Sequence, residues 1–206
     1  MSYDICLKDK VSNKVANMKH PQYIRGGTVP ARINPITGIL EQDTQIKAKI
    51  NITYNYAKYY YDATEGDTRF AHDEVSCYYA DGTTGPIKTE YGIRGLYGKT
   101  AAESIQMLTD MIQRITSKYM DSNGEWLTTE RKRIQYLKNG KEVNNPIHGI
   151  LHGEVYEKIE ETYYVSEGDT SKYWEPTAAN AILTLETMLV MAVDNILDEN
   201  IVWEGD

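Results

Sequence analysis

The 206-residue chain is 41% hydrophobic and 25% charged, a globular balance with room for one core and an insertion. Its 22 Lys and Arg against 30 Asp and Glu leave a formal net charge of −8, which excludes a face-wide basic footprint for nucleic acid. Two cysteines are too few for a disulfide scaffold or a thiolate zinc site, and no apolar run reaches the roughly 20 residues of a membrane-spanning helix. The opening Met-Ser-Tyr-Asp has no leader pattern, so a soluble intracellular protein is expected.

In chain order, residues 3–7 alternate as a short strand, and 14–18 return beside it across the turn-rich stretch 9–13. From 20 to 43 the chain is punctuated by Pro21, Gly26, Gly27, Pro30, Pro35 and Gly38, an excursion with little regular structure and a short hairpin at 34–38. The strongest strand pattern covers 45–56: Ile46, Ala48, Ile50, Ile52, Tyr54 and Tyr56 share one face, and Lys47, Lys49, Asn51, Thr53 and Asn55 the other. Residues 59–84 are polar and aromatic, with a turn or short helix expected around 69–80.

Two helices follow from periodicity. One spans about 100–119, where Thr100 and Glu103 have capping-box spacing and Ile105, Leu108, Met111, Ile112 and Ile115 recur on one face. The other spans about 176–196, with Pro176 in its first turn and an apolar stripe from Ala178 through Leu185 and Leu189 to Val193 and Ile196. Residues 201–203 read as a last edge strand. Between the helices, 121–164 reads as a projecting β-hairpin insertion, with a two-residue turn at Asn139-Gly140 and a flexible bend at 144–153. The expected fold is one α+β domain: an antiparallel sheet built around 46–56, two long helices packed on it, and the hairpin insertion.

Seventeen tyrosines stand against three tryptophans and one phenylalanine. Tyrosine serves where one ring edge is apolar and the other needs a polar partner, so the excess marks either half-buried sheet positions or a surface that stacks on planar ligands or packs on a protein. The motif from Gly92 to Thr100, Gly-Ile-Arg-Gly-Leu-Tyr-Gly-Lys-Thr, is not a phosphate loop: Gly92 leaves five residues before Gly-Lys-Thr and Gly95 leaves two, where four are needed. A glycine-rich turn feeding a helix still exposes backbone N–H groups, and Arg94 and Lys99 add positive charge beside Tyr97, so the turn is a candidate anion site; the alternative is a tight connection shaped by its glycines. Asn51, Thr53 and Asn55 form a polar ladder able to read the edge of a base, sugar or peptide, or else an ordinary wet face. Tyr54 and Tyr56 lie on the opposite face and are candidates for stacking. Trp174 precedes the second long helix as a staple, and Asn180 in its first turn either caps or faces a pocket. No metal-ligand spacing, Gly-x-Ser-x-Gly elbow or Cys–His arrangement identifies a metal site or a nucleophile.

Three segments carry a resemblance: Asn51-Ile-Thr-Tyr-Asn55, then Gly92-Ile-Arg-Gly-Leu-Tyr-Gly-Lys-Thr-Ala-Ala-Glu103, then Tyr173-Trp-Glu-Pro-Thr-Ala-Ala-Asn-Ala181, with the ending Val202-Trp-Glu-Gly-Asp206. Over 46–120 and 170–206 the chain resembles a family of small phage and prophage proteins, whose shorter members lack the 121–164 hairpin. The family brings no established activity. The resemblance implies a phage-encoded, non-catalytic binding protein in the cytoplasm of an infected bacterium, antagonising anti-phage defence by sequestering a small anionic, nucleotide-like signal. The ligand-binding residues expected are Asn51, Thr53, Tyr54, Asn55, Tyr56, Arg94, Tyr97, Lys99, Trp174 and Asn180. The alternative is an inhibitor that docks on a host defence protein through an acidic, tyrosine-rich surface. No cofactor, membrane or direct nucleic-acid contact is expected, and a homo-oligomer is left open.

Overall fold

Alternation in the first strand buries Ile5 and Leu7 completely while Cys6 and Lys8 stay partly exposed, so one face of that strand belongs to the core. The computed structural model describes residues 2–18, 31–33, 40–42, 47–144 and 146–205. The first elements are β1 (Ser2–Asp9), β2 (Ala31–Ile33), β3 (Leu40–Gln42) and β4 (Lys49–Thr53), followed by helix α1 (Ala57–Thr64) and strands β5 (His72–Val75) and β6 (Ile87–Glu90). Then come α2 (Ala101–Tyr119), β7 (Thr128–Lys138), β8 (Lys141–Glu142), a one-turn helix α3 (Ile147–Leu151), β9 (Glu157–Ser166), α4 (Ala178–Asp194) and β10 (Ile201–Gly205). The fold is α+β with antiparallel sheets. The expected hairpin at 34–38 and the strand start at 45–46 lie outside the described residues.

The main sheet has the order β10-β1-β4, with Ile5 opposite Ile50 and Leu7 opposite Trp203. β1 is therefore central, and the strand expected at the centre, β4, is an edge. Residues 14–18 do return beside β1, through single bridges rather than a strand: Lys8 pairs with Val15, and Asn17 then pairs with Lys47. β10 is the expected edge strand.

β4 also stops short of its expected length. The Thr53 hydroxyl accepts the Asn55 N–H at 3.3 Å, and Tyr54–Tyr56 turn as a 3-10 helix into α1. The alternation through Tyr56 overlaps a second period. Tyr56, Tyr59, Tyr60 and Ala63 are all buried at helical spacing, and that pattern wins beyond Thr53. Where a turn or helix was expected around 69–80, a 3-10 turn at Thr68–Phe70 capped by Asp67 leads into the β5–β6 hairpin.

α2 carries its capping box: Thr100 donates its N–H to Glu103 Oε2 at 2.7 Å, and its hydroxyl accepts the Glu103 N–H at 3.2 Å. In α4 the Thr177 hydroxyl accepts the Asn180 N–H. Leu108, Met111 and Ile115 of α2 meet Leu185, Met188 and Met191 of α4 in the core, with Ile5, Ile50 and Trp203 from the sheet. The α4 stripe is rotated from expectation at its end. Val193 and Ile196 face solvent, and Met188 and Met191 are inside, because contact with α2 rather than the stripe's mean direction sets the phase.

β7, β8 and β9 form a separate sheet of order β8-β7-β9. Its turn at Asn139-Gly140 has both residues left-handed, φ 54° and 73°, as the two-residue hairpin requires. The expected bend at 144–153 contains α3. No helix among the described residues is long and apolar enough to cross a membrane.

Candidate ligand-binding cleft

The β5–β6 hairpin, the Gly92–Thr100 turn and the start of α1 enclose two adjoining cavities of about 420 and 470 Å³, each within the range of small-molecule sites. His72, Glu74 and Arg94 line both, so they form the wall between two lobes. The first lobe is aromatic, with Tyr54, Tyr60, Tyr61 and Tyr91 around Glu90. Tyr61 and Tyr91 meet edge to face, ring centroids 6.4 Å apart. The second lobe carries Arg69, Asp73, Tyr97 and Lys99.

The dividing wall is ionic. Arg94 Nη1 stands 2.6 Å from Glu74 Oε1, and His72 Nε2 lies 3.6 Å from Glu74 Oε2. Burial opposes the Arg94 charge, but Glu74 outweighs it and holds the guanidinium above its ordinary pKa. Arg69 is likewise engaged, by Asp67 at 2.6 Å and Asp110 at 2.8 Å. Among the described residues the Lys99 ammonium makes no hydrogen bond or ion pair.

Part of the turn's backbone is already engaged within the fold. The N–H groups of Gly95, Tyr97 and Lys99 donate to Gly92, Arg94 and Leu96 within the turn, that of Gly98 donates to Trp203, and that of Thr100 to the Glu103 side chain. Trp203 in turn donates its N–H to Lys99 O at 3.0 Å, clamping the turn to β10. Gly95 is there for close approach: a Cβ would stand 2.4 Å from the Phe70 Cα and carbonyl oxygen.

Arg94, Tyr97 and Lys99 do come together, and Tyr54 lines the adjoining lobe. The other candidates have structural partners elsewhere. Asn51 donates to Asp4 at 2.8 Å across the exposed face of the sheet, and Thr53 caps the 3-10 turn. Asn55 donates to Trp174 O at 2.6 Å, which leaves the amide ladder without a shared pocket. Tyr56 is buried against Tyr60. Trp174 is half exposed beside Tyr173. Asn180 is buried and donates to the carbonyls of Lys172 and Glu175 at 2.8 and 3.1 Å, tying the loop before α4 to the helix. Sequence reasoning missed Glu74 and Glu90 as site residues. The pairing of His72 with Glu90 and of Glu74 with Lys88 across the hairpin brings both carboxylates to the turn, and clustered tyrosines were the one sign of it.

A second ionic cluster lies away from the cleft. Glu167, fully buried, accepts from Tyr59 Oη at 2.7 Å, Thr129 Oγ1 at 2.6 Å, Arg131 Nη2 at 3.1 Å and the Ala178 N–H at 2.9 Å. Burial would raise its pKa, yet these four donors together hold it below the ordinary value. It sits at the first turn of α4, where the helix dipole favours a negative charge. This cluster is a structural knot joining the base of the β7–β9 arm, α1 and α4.

Among the described residues no group of three or more His, Cys, Asp or Glu could hold a metal ion. Comparison with protein families, curated proteins and solved structures finds no match for this chain.

Proposed function

We propose that this chain is a non-catalytic binding protein for a small anionic, nucleotide-like ligand, held across the two lobes of the cleft. The observation that carries the reading is chemical asymmetry. One lobe is walled by tyrosines suited to stacking on a planar ring, and the other holds a lysine that makes no hydrogen bond or ion pair among the described residues. A ring on one side and a phosphate on the other fit that division. The resemblance to phage proteins extends the proposal to biology: the chain sequesters a nucleotide signal of bacterial defence in the infected cell's cytoplasm. Calorimetric titration with a panel of linear and cyclic nucleotides, dinucleotides and ADP-ribose-like compounds tests it. Binding that weakens with added salt is expected.

The second reading, an inhibitor docking on a defence protein, is favoured by one observation. Tyr78 is 80% exposed and Ile87 67% exposed on the β5–β6 hairpin, more apolar surface than a solvated hairpin needs. A wild-type chain that binds nothing in the nucleotide panel would move the function to this surface.

A further inference from the structure

The aromatic lobe contains a charge that the fold does not use. Glu90 is half-buried and, among the described residues, neither accepts a hydrogen bond nor forms an ion pair. Its cationic or titratable neighbours in the lobe are His72, directly across the hairpin, Arg94 and Lys58, and among the described residues none forms an ion pair with it. Arg94 is engaged by Glu74 at 2.6 Å, and the Lys58 ammonium lies over the Tyr59 and Tyr119 rings, 5.7 and 5.8 Å from their centroids. A carboxylate in a partly desolvated, tyrosine-walled space is unfavourable until donors reach it. Glu90 therefore calls for a planar group that presents N–H donors in this lobe, and the phosphate belongs beside Lys99 in the other.

Among nucleobases the pattern is selective. Guanine carries two adjacent donors on one edge, N1–H and N2–H, which match the two oxygens of a carboxylate side by side. Adenine offers one amino group beside an N1 lone pair, which the carboxylate repels. Hypoxanthine keeps N1–H and lacks the second donor. Resting on the nucleotide reading above, we infer that Glu90 reads the donor edge of a guanine base stacked in the tyrosine lobe, and is the residue that determines base specificity.

Calorimetry on the full chain with GMP, IMP and AMP tests this, with Glu90→Gln as the variant and spermidine as a cationic control. GMP should bind about tenfold tighter than IMP and about a hundredfold tighter than AMP, the range for one and two charge-assisted hydrogen bonds. Glu90→Gln should bring GMP and AMP to within about threefold of each other, because an amide offers one acceptor and one donor. A nucleotide bound without preference for guanine, or a preference that survives Glu90→Gln, overturns the inference and leaves the parent reading standing. Spermidine bound in place of nucleotide overturns both; no binding of GMP, IMP or AMP overturns the inference, and the parent reading falls only if the wider panel fails as well. The wild-type base series stands by itself should the variant fold poorly.

Discussion

The two ionic clusters of this molecule are built from the same residue types and treated in opposite ways. At Glu167 the side chain of the carboxylate is 1% exposed and that of its arginine 16%, and each oxygen has two donors, the four being drawn from α1, β7 and the start of α4. At the cleft, Glu74 is 44% and Arg94 28% exposed, with Glu90 and Lys99 left over on either side among the described residues. A buried charge is tolerated only when fully matched, so the first cluster serves the fold. Charges left half-matched in a concave, aromatic-lined space contribute little to stability and remain available to a ligand.

Removing Glu167 should have the largest effect. Glu167→Ala leaves the Arg131 guanidinium without its counter-charge, with only Tyr59 Oη and the Pro176 carbonyl as acceptors, and strips the Ala178 N–H of its acceptor, a loss of about 3–5 kcal/mol in urea unfolding. A loss below ~1 kcal/mol would be the value of a surface pair and would erase the contrast between the clusters. The knot also sets the pH limits. Burial first, then the hydrogen bond to Glu167, pushes the Tyr59 phenol well above its ordinary 10.0. Its contribution is complete below about pH 10 and falls as pH rises toward the folded value. Glu167, held below its ordinary 4.5, contributes above that value and loses its share as pH falls through the lowered one.

A cut through the arm sharpens the comparison. Deleting 121–164 removes Thr129 and Arg131 and leaves Glu167 buried with an unmatched charge, so a broad, lowered melt is expected. Joining Arg133 to Glu161, which face each other across β7 and β9, through a short glycine-containing turn keeps the knot. That trimmed chain should melt cooperatively within about 1 kcal/mol of the full one. Equal melting of both deletions would show that the arm's base is not part of the core.

The smallest effect on stability and the clearest on binding is expected at the cleft. Lys99→Ala should weaken nucleotide affinity about ten- to a hundredfold, read by calorimetry, and shift the melting temperature by less than about 2 °C. A large drop in melting temperature with unchanged affinity would make Lys99 a fold residue and leave the Glu167 cluster without its counterpart.

Much of this was legible in the chain. The capping box at Thr100 and Glu103, the Asn139-Gly140 hairpin and the alternation around Ile50 are local patterns, and each formed its element. The run through Tyr54 and Tyr56 was ambiguous because strand and helix periods overlap there; the 3-10 turn leading into α1 took Tyr54–Tyr56, and the amide ladder lost its Asn55 rung. At the cleft, Arg94, Tyr97 and Lys99 lie on one continuous motif and were found together, with Glu90 only two residues before it, whereas Glu74 reaches it through hairpin pairing. The Glu167 knot was not legible as a knot, since its donors come from positions 59, 129, 131 and 178.

The sequence by itself determined the α+β class, the two long helices with the capping box of the first, the hairpin turn and the placing of basic and aromatic residues around the Gly92–Thr100 turn, because each depends on residues within a few positions of one another. Which charges are matched and which are left over was decided by tertiary structure alone. That outcome depends on the distance and burial of groups far apart in the chain, and spacing along a sequence encodes neither.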